Sequence, residues 1–213
     1  MKTQFIYFVI CLILVNCKEP KPELTFKHSD KKIVIDCNPN YSKILNEALH
    51  EFETNIIKYS TLNKPNLNNE YRSFLTQSSR HQINYNNITE QHTLDIFEEL
   101  KNIDDLWVLK NNKLTLNYNH EIFSCIGENI QDKDIKTTFN ALLSTNSLSM
   151  RMMNDLLMSK SYRLVKDKYL ATFVALELYY SKLSKVDLSK KQVTTKDTNT
   201  KAQKDPHAGH NHD

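Results

Sequence analysis

Apolar residues recur at helical spacing through most of this chain. Between residues 41 and 60 they fall at i, i+3, i+4, i+7, i+8, i+11 and i+15, which places them on one face of a helix. The same spacing continues along the sequence and predicts helices over residues 41–60, 68–79, 89–102, 120–126, 132–144, 149–159 and 165–185. The pattern therefore predicts a mainly α fold, a single helical-bundle domain of about six or seven helices that spans residues 32–185.

Two stretches depart from this period. Two apolar runs flank Asn111-Asn112, which is consistent either with a small β-hairpin near residues 106–118 or with the end of a helix and a loop. The β-branched residues 32–37 predict a short strand or an extended arm, which ends before the helix breaker Pro39.

The last predicted helix is apolar on nearly every side. Between residues 169 and 180 only Thr172 and Glu177 are clearly polar, and a helix of this kind is usually buried at the centre of a bundle. A carboxylate in that position is either paired or has a raised pKa. Arg151 and Arg163 are the candidate partners for a structural ion pair, and a functional pocket around Glu177 is the alternative.

The chain begins with a secretory signal. Lys2 supplies a positive charge and residues 5–15 are an unbroken apolar run, which is too short for a membrane-spanning helix of ~20 residues. Leu14-Val15-Asn16-Cys17 follows, and it resembles the lipobox of bacterial lipoproteins, in which the signal peptide is cut before a cysteine that carries lipid. Asn16 departs from the Gly, Ala or Ser that is usual at its position.

This resemblance implies that residues 1–16 are a signal peptide and that Cys17 is the lipidation site. It also implies a protein of the Gram-negative cell envelope, anchored by lipid to the outer membrane and facing the periplasm or the cell surface. The charged, proline-containing residues 17–31 predict a flexible tether. Residues 186–213 are rich in lysine and poor in apolar residues, which is typical of a disordered tail.

Composition excludes several functions. The 213 residues carry 28 basic and 25 acidic side chains, a net charge of +3 that is too small to indicate nucleic acid as a partner. With only two glycines, the chain contains no phosphate-binding loop motif. We find no nucleophile elbow and no zinc-protease motif, so the sequence indicates a protein that is not an enzyme.

The chain has four cysteines. Cys11 leaves with the signal peptide and Cys17 is the predicted anchor, so Cys37 and Cys125 remain. In an exported protein these two either form a disulfide or are separate buried thiols, and the sequence leaves both alternatives open.

A histidine cluster ends the tail. His207, His210 and His212 lie within six residues, and neutral imidazoles suit Zn²⁺, Cu²⁺ or Ni²⁺. The alternative is a solvated chain end without a metal role. Elsewhere, Glu47-x-x-His50 matches the Glu-x-x-His unit of di-iron bundles, but no second copy occurs. Both residues fall beside or opposite the apolar stripe of their helix, which favours a solvated face.

These features predict a membrane-anchored envelope lipoprotein that acts as a non-catalytic binding or scaffolding module. Its partner would be an unknown protein or small molecule, in addition to the membrane that its lipid enters. Metal handling through the C-terminal histidines and an enzymatic site near Glu177 are the two alternatives.

Overall fold

The computed structural model describes residues 23–191 of the chain. This range forms α1 Pro39–Lys58, α2 Leu67–Ser79, α3 Tyr85–Ile88, α4 Gln91–Lys101, β1 Trp107–Lys110, β2 Lys113–Leu116, α5 Glu121–Asn129, α6 Lys133–Ser144, α7 Met150–Ser159 and α8 Lys168–Val174. The protein is mainly helical with one small antiparallel hairpin, which confirms the predicted fold class. The described residues contain eight α-helices, one more than the sequence analysis counted, because the four-residue α3 is too short to show a period.

Helix α1 begins at Pro39, two residues before the predicted start, because the proline interpreted as a breaker lies at the first helical position. The side chain of Asn38 caps it by accepting the backbone N–H of Asn40 at 3.0 Å. Pro39 is the first helical residue, where its missing N–H costs nothing and its fixed φ fits the helix. Leu49 and Phe52 are fully buried, so α1 packs deep in the core.

We call residues 168–185 the central segment. It starts as α8, continues as a π-helical turn over Ala175–Tyr179 and ends as a 3₁₀ helix over Tyr180–Lys185. Nearly all of its apolar side chains are buried, so the predicted central position is confirmed. The prediction of one regular helix is wrong, because an apolar run shows no periodicity that could reveal a change of hydrogen-bond pattern.

Two tyrosines fix the central segment to its neighbours. The Tyr179 hydroxyl donates to the carbonyl of Ile88 at 2.8 Å, and the Tyr180 hydroxyl donates to the carbonyl of Ala48 in α1 at 2.9 Å. Both side chains are fully buried, so their hydroxyls need these partners.

Residues 107–116 form the hairpin, so the alternative of a helix end and a loop is wrong. Trp107 pairs with Leu116, and Lys110 pairs with Lys113. The two turn residues, Asn111 and Asn112, have φ of 50° and 58°, and asparagine tolerates this left-handed region better than most residues.

Residues 23–37 lie along α1 and are extended apart from a turn at residues 27–30, and we call them the N-terminal arm. Its backbone pairs with neither described strand, and the side chain of Asn46 in α1 provides hydrogen bonds to it instead. The Asn46 side chain accepts the N–H groups of Val34 at 2.7 Å and Ile35 at 3.1 Å, and it donates to the carbonyl of Ile35 at 2.7 Å. Ile35 is fully buried. The arm is extended, as one of the two predictions for residues 32–37 proposed.

Cys37 and Cys125 form a disulfide that joins the arm to α5 across 88 residues of sequence. The alternative of two separate thiols is therefore wrong. The structure also extends the packed domain at both ends beyond the predicted 32–185. Arm residues before 32 contact α1, and at the other end Lys191 donates to the Tyr59 hydroxyl at 2.8 Å.

Between residues 23 and 191, we find no helix with both the length and the apolar character needed to cross a bilayer. Cys17 and the predicted signal peptide lie outside the described residues.

Candidate functional site

A cleft of about 860 Å³ opens between the hairpin, the residues around α3 and the end of the central segment. Its volume falls in the range of small-molecule sites, roughly 300–1,000 Å³. The residues that line it are His81, Gln82, Ile83, Asn84, Tyr85, Asn86, Lys110, Lys113, Leu114, Thr115, Leu116, Tyr118, Glu177, Ser181, Lys182, Ser184, Lys185 and Val186. We call this space the Glu177 cleft.

Glu177 is the carboxylate of this cleft. It lies in the π-helical turn and is half-buried, while the residues beside it in the turn are buried. Burial raises the pKa of Glu177, and the hydrogen bond of Tyr118 and the positive charge of Lys182 only partly oppose that rise. A π-turn and a perturbed carboxyl in one cleft are both features that occur often at functional sites.

Two tyrosines flank this carboxyl. The Tyr85 hydroxyl donates to the carbonyl of Leu178 at 2.8 Å, which ties α3 to the π-turn. Burial raises the pKa of Tyr85 to about 12, and burial together with the negative charge of Glu177 raises the pKa of Tyr118 further. Both phenols therefore remain neutral hydrogen-bonding groups at physiological pH.

The mouth of the cleft is basic. Lys110 and Lys113 reach it from the hairpin, and Lys182 and Lys185 reach it from the 3₁₀ end of the central segment. All four lysines are exposed, whereas Leu116, which also lines the cleft, is buried. The exposed rim of the cleft is therefore positively charged.

A second cavity of about 560 Å³ shares Glu177 with the first. The two cavities also share His81, Ile83, Tyr85 and Lys182. Seven other residues line the second cavity but not the first: Ser78, Ser79, Met150, Arg151, Asn154, Asp155 and Leu178. Glu177 therefore lies where two cavities meet.

The two arginines proposed as partners of Glu177 have different positions. Arg151 lines the second cavity together with Glu177. Arg163 instead pairs with Asp132, with Nε 3.3 Å from the carboxylate, at a separate cavity that does not include Glu177. The prediction for Arg163 is therefore wrong, because sequence distance says nothing about which carboxylate a long side chain reaches.

The prediction of a solvated face for Glu47 and His50 is also wrong, since both residues are buried. The Glu47 carboxylate accepts the backbone N–H groups of Lys27 at 2.7 Å and His28 at 3.0 Å. His92 Nε2 lies 2.7 Å from the same carboxylate. The N-terminal arm and α4 cover this face of α1, and the periodicity of α1 alone cannot show what covers it.

The buried polar groups continue along α1. His28 Nε2 lies 3.3 Å from the Glu51 carboxylate, and the Tyr71 hydroxyl donates to Glu53 at 2.7 Å. Burial alone would raise the pKa of Glu53, but hydrogen bonds from His50, Lys168 and Tyr71 outweigh it and hold that pKa below its ordinary value. We call the six residues His28, Glu47, His50, Glu51, Glu53 and His92 the buried polar network.

The three carboxylates of this network accept hydrogen bonds, whereas Nε2 of His50 is buried without a hydrogen-bond partner among the described residues. In the range 23–191 no three His, Cys, Asp or Glu side chains are arranged to hold a metal ion. His207, His210 and His212 lie outside the described residues, so metal binding there stays a prediction.

Sequence reasoning found Glu177 but missed the rest of its cleft. Tyr118 and Lys182 are separated by 64 positions of sequence, and neither belongs to a recognisable motif. Only the docking of the hairpin against the central segment brings them together. No signal in a single sequence marks them.

Comparison of the chain with models of known families, with curated proteins and with solved structures gives no match.

Proposed function

We propose that this protein is a lipid-anchored envelope protein whose folded domain binds a small molecule in the Glu177 cleft. The observation that carries the proposal is the cleft itself: about 860 Å³ of space around a half-buried carboxyl on a π-turn. Most residues that line the cleft are polar or charged, and Ile83, Leu114 and Leu116 add apolar surface beside them, so the cleft offers both kinds of contact to a ligand.

Two independent features support an exported protein. Leu14 to Cys17 resembles a lipobox, and Cys37 and Cys125 form a disulfide. Structural disulfides persist in oxidising compartments such as the periplasm and are rare in the cytosol. Export is therefore supported by two separate parts of the chain, and anchoring is supported by the lipobox-like residues.

The anchor is tested by replacing Cys17 with alanine. We expect the unchanged protein to enter the membrane fraction and to incorporate labelled palmitate, and Cys17→Ala to lose both properties. Cys11→Ala is the matched control, because Cys11 lies within the predicted signal peptide and should leave labelling unchanged. Palmitate labelling that persists in Cys17→Ala would contradict lipidation at this residue.

The cleft is tested with a fragment library screened by ligand-observed NMR against the full mature chain. We expect hits that compete with one another and are lost in Ser184→Trp, because Ser184 is exposed at the cleft and a large side chain there narrows it. Ser159→Trp is the control, since Ser159 is exposed at the end of α7 and lines none of the three cavities described above. Hits that survive Ser184→Trp would show that ligands bind elsewhere.

A further inference from the structure

The charge of the Glu177 cleft is unbalanced. Four lysines line it, Lys110, Lys113, Lys182 and Lys185, against the single carboxyl of Glu177. Salt bridges among residues 23–191 engage other lysines and leave these four without a carboxylate within 4.0 Å. Four ammonium groups around one opening repel each other and attract an anion.

The single carboxyl of Glu177 can offset at most one of these four positive charges. Burial favours its neutral form, and a neutral carboxyl is a hydrogen-bond donor. A cationic ligand would be repelled by Lys182, whose positive charge already acts on Glu177, and by the other three lysines. The lysines at the rim would attract an anion, and the neutral carboxyl inside the cleft would donate a hydrogen bond to it.

We infer that the Glu177 cleft binds an anionic small molecule, one that carries a carboxylate or a phosphate. The rim lysines attract its charge, and Glu177 in the acid form donates a hydrogen bond to one of its oxygens. This inference rests on the proposed function, because it names the class of ligand for the same cleft. Binding is then linked to protonation of Glu177, since an ionised carboxylate would repel the ligand.

The uncharged polar lining indicates a ligand with hydroxyl groups. Amide and hydroxyl side chains surround the cleft beside the lysines: Gln82, Asn84, Asn86, Thr115, Ser181 and Ser184. Each supplies a donor and an acceptor of the kind that pairs with hydroxyls. Monosaccharides are therefore suitable probes, because their charge is varied without changing the ring.

The experiment compares four probes, glucose, glucuronate, glucose 6-phosphate and glucosamine, by chemical-shift titration of the ¹⁵N-labelled mature chain. We expect glucuronate or glucose 6-phosphate to produce saturable shifts at the cleft, and glucose and glucosamine to bind more weakly. Which of the two anions binds more tightly distinguishes a carboxylate ligand from a phosphate ligand.

Paired substitutions test the rim. The double variant Lys182→Ala/Lys185→Ala should weaken binding of the preferred anion by about five- to tenfold, the effect of two exposed charge contacts. The matched control is Lys31→Ala/Lys64→Ala, which removes the same charge from exposed positions that line none of the three cavities. Equal weakening by both double variants would overturn the assignment to the rim.

The proton linkage is tested with glucuronate, which stays ionised over the range used. The charged and titratable groups around Glu177 are Tyr118 and the three other lysines in the first cavity, His81, Tyr85 and Lys182 in both cavities, and Arg151 and Asp155 in the second. Because a histidine also gains a proton on acidification, the comparison is made in a His81→Asn background. There, affinity should rise by more than about threefold from about pH 8 to about pH 5, and adding Glu177→Gln should abolish the rise.

The outcomes separate the two proposals. If glucose or glucosamine binds the cleft as tightly as the anions, the anionic class is wrong and the cleft is still a binding site. A rise in affinity on acidification that survives Glu177→Gln would overturn the role of Glu177. Absence of a saturable shift at the cleft with all four probes would count against both the ligand class and the proposed function.

Discussion

At the scale of single residues, the buried carboxylate of Glu47 and the half-buried carboxylate of Glu177 have opposite surroundings. Glu47 is surrounded by donors: two backbone N–H groups and the ring of His92. Glu177 has few partners and faces two cavities, so burial raises its pKa. The first arrangement stabilises a fold, and the second leaves a group available to a ligand.

The raised pKa of Glu177 makes a prediction about stability and pH. The folded protein holds the proton more tightly than the unfolded chain, so this stabilisation is complete below the ordinary pKa of 4.5 and is lost as pH rises through the raised value. Glutamine cannot ionise. Glu177→Gln should therefore match the parent in melting temperature near about pH 4 and exceed it near about pH 8, where each 1 kcal/mol gives about 2–4 °C.

Thermal denaturation at both pH values checks this expectation, and Glu128→Gln is the control because Glu128 is exposed. If Glu177→Gln and the parent have equal melting temperatures at the higher pH, ionisation of Glu177 does not destabilise the folded protein and the prediction is wrong.

The buried contact between Glu47 and His92 predicts a large loss on truncation. Glu47→Ala leaves buried donors without an acceptor, which should lower the free energy of unfolding by about 3–5 kcal/mol. Glu128→Ala, at an exposed position, should change it by less than about 0.5 kcal/mol.

A double-mutant cycle with His92→Ala isolates the pair. We expect the two substitutions to cost less together than the sum of their separate effects, by about 0.5–3 kcal/mol in urea denaturation. Strict additivity would mean that the two side chains do not interact.

At the scale of elements, position depends on what an element packs against. The hairpin is short, and it is anchored to α4 by Trp107, whose ring packs edge-on against Phe97 at 5.5 Å and whose Nε1 donates to the carbonyl of Leu100 at 2.8 Å. This anchoring holds Lys110 and Lys113 at the rim of the cleft. The hairpin is therefore a wall of the site as well as a connection.

The hairpin turn allows a specific prediction. Asn112 has φ of 58°, a region where a β-carbon costs roughly 1–2 kcal/mol and glycine is unstrained. Asn112→Gly should raise the free energy of unfolding by a few tenths to about 1 kcal/mol, and Asn112→Ala should lower it by about 1 kcal/mol. Chemical denaturation measures both, and the same sign for the two variants would argue against this turn conformation.

At the scale of the whole molecule, the N-terminal arm connects two helices that are distant in sequence, α1 and α5. It packs on α1 through Asn46 and Glu47 and is joined covalently to α5. The arm follows residues 1–22, which include the predicted anchor Cys17, so the disulfide lies between the predicted attachment point and the core. Tension on a lipid anchor would thus be carried by a covalent bond rather than by arm contacts alone.

Removal of the disulfide should be costly. The bond closes a loop of 88 residues, and the chain-entropy model assigns about 4–5 kcal/mol to a loop of that length. Cys37→Ala/Cys125→Ala should therefore melt well below the parent, and reductant should lower the melting temperature of the parent alone. Equal melting of the parent with and without reductant would show that the bond contributes little.

The sequence by itself determined the helical class and most helix positions, because apolar periodicity is a local property that spans only a few turns. It also marked Glu177 as exceptional, since a carboxylate in an apolar run must be paired or perturbed. Its two unassigned cysteines left the disulfide as one of two alternatives, because pairing depends on distance in space.

Only the tertiary structure decided the surroundings of those residues. The cleft needs Tyr118, Lys110 and Lys182 from separate elements, and the burial of Glu47 needs the arm and α4 to cover one face of α1. The same amphipathic helix is compatible with water or with another chain segment on its polar face. That choice depends on long-range packing, which no local period in the sequence records.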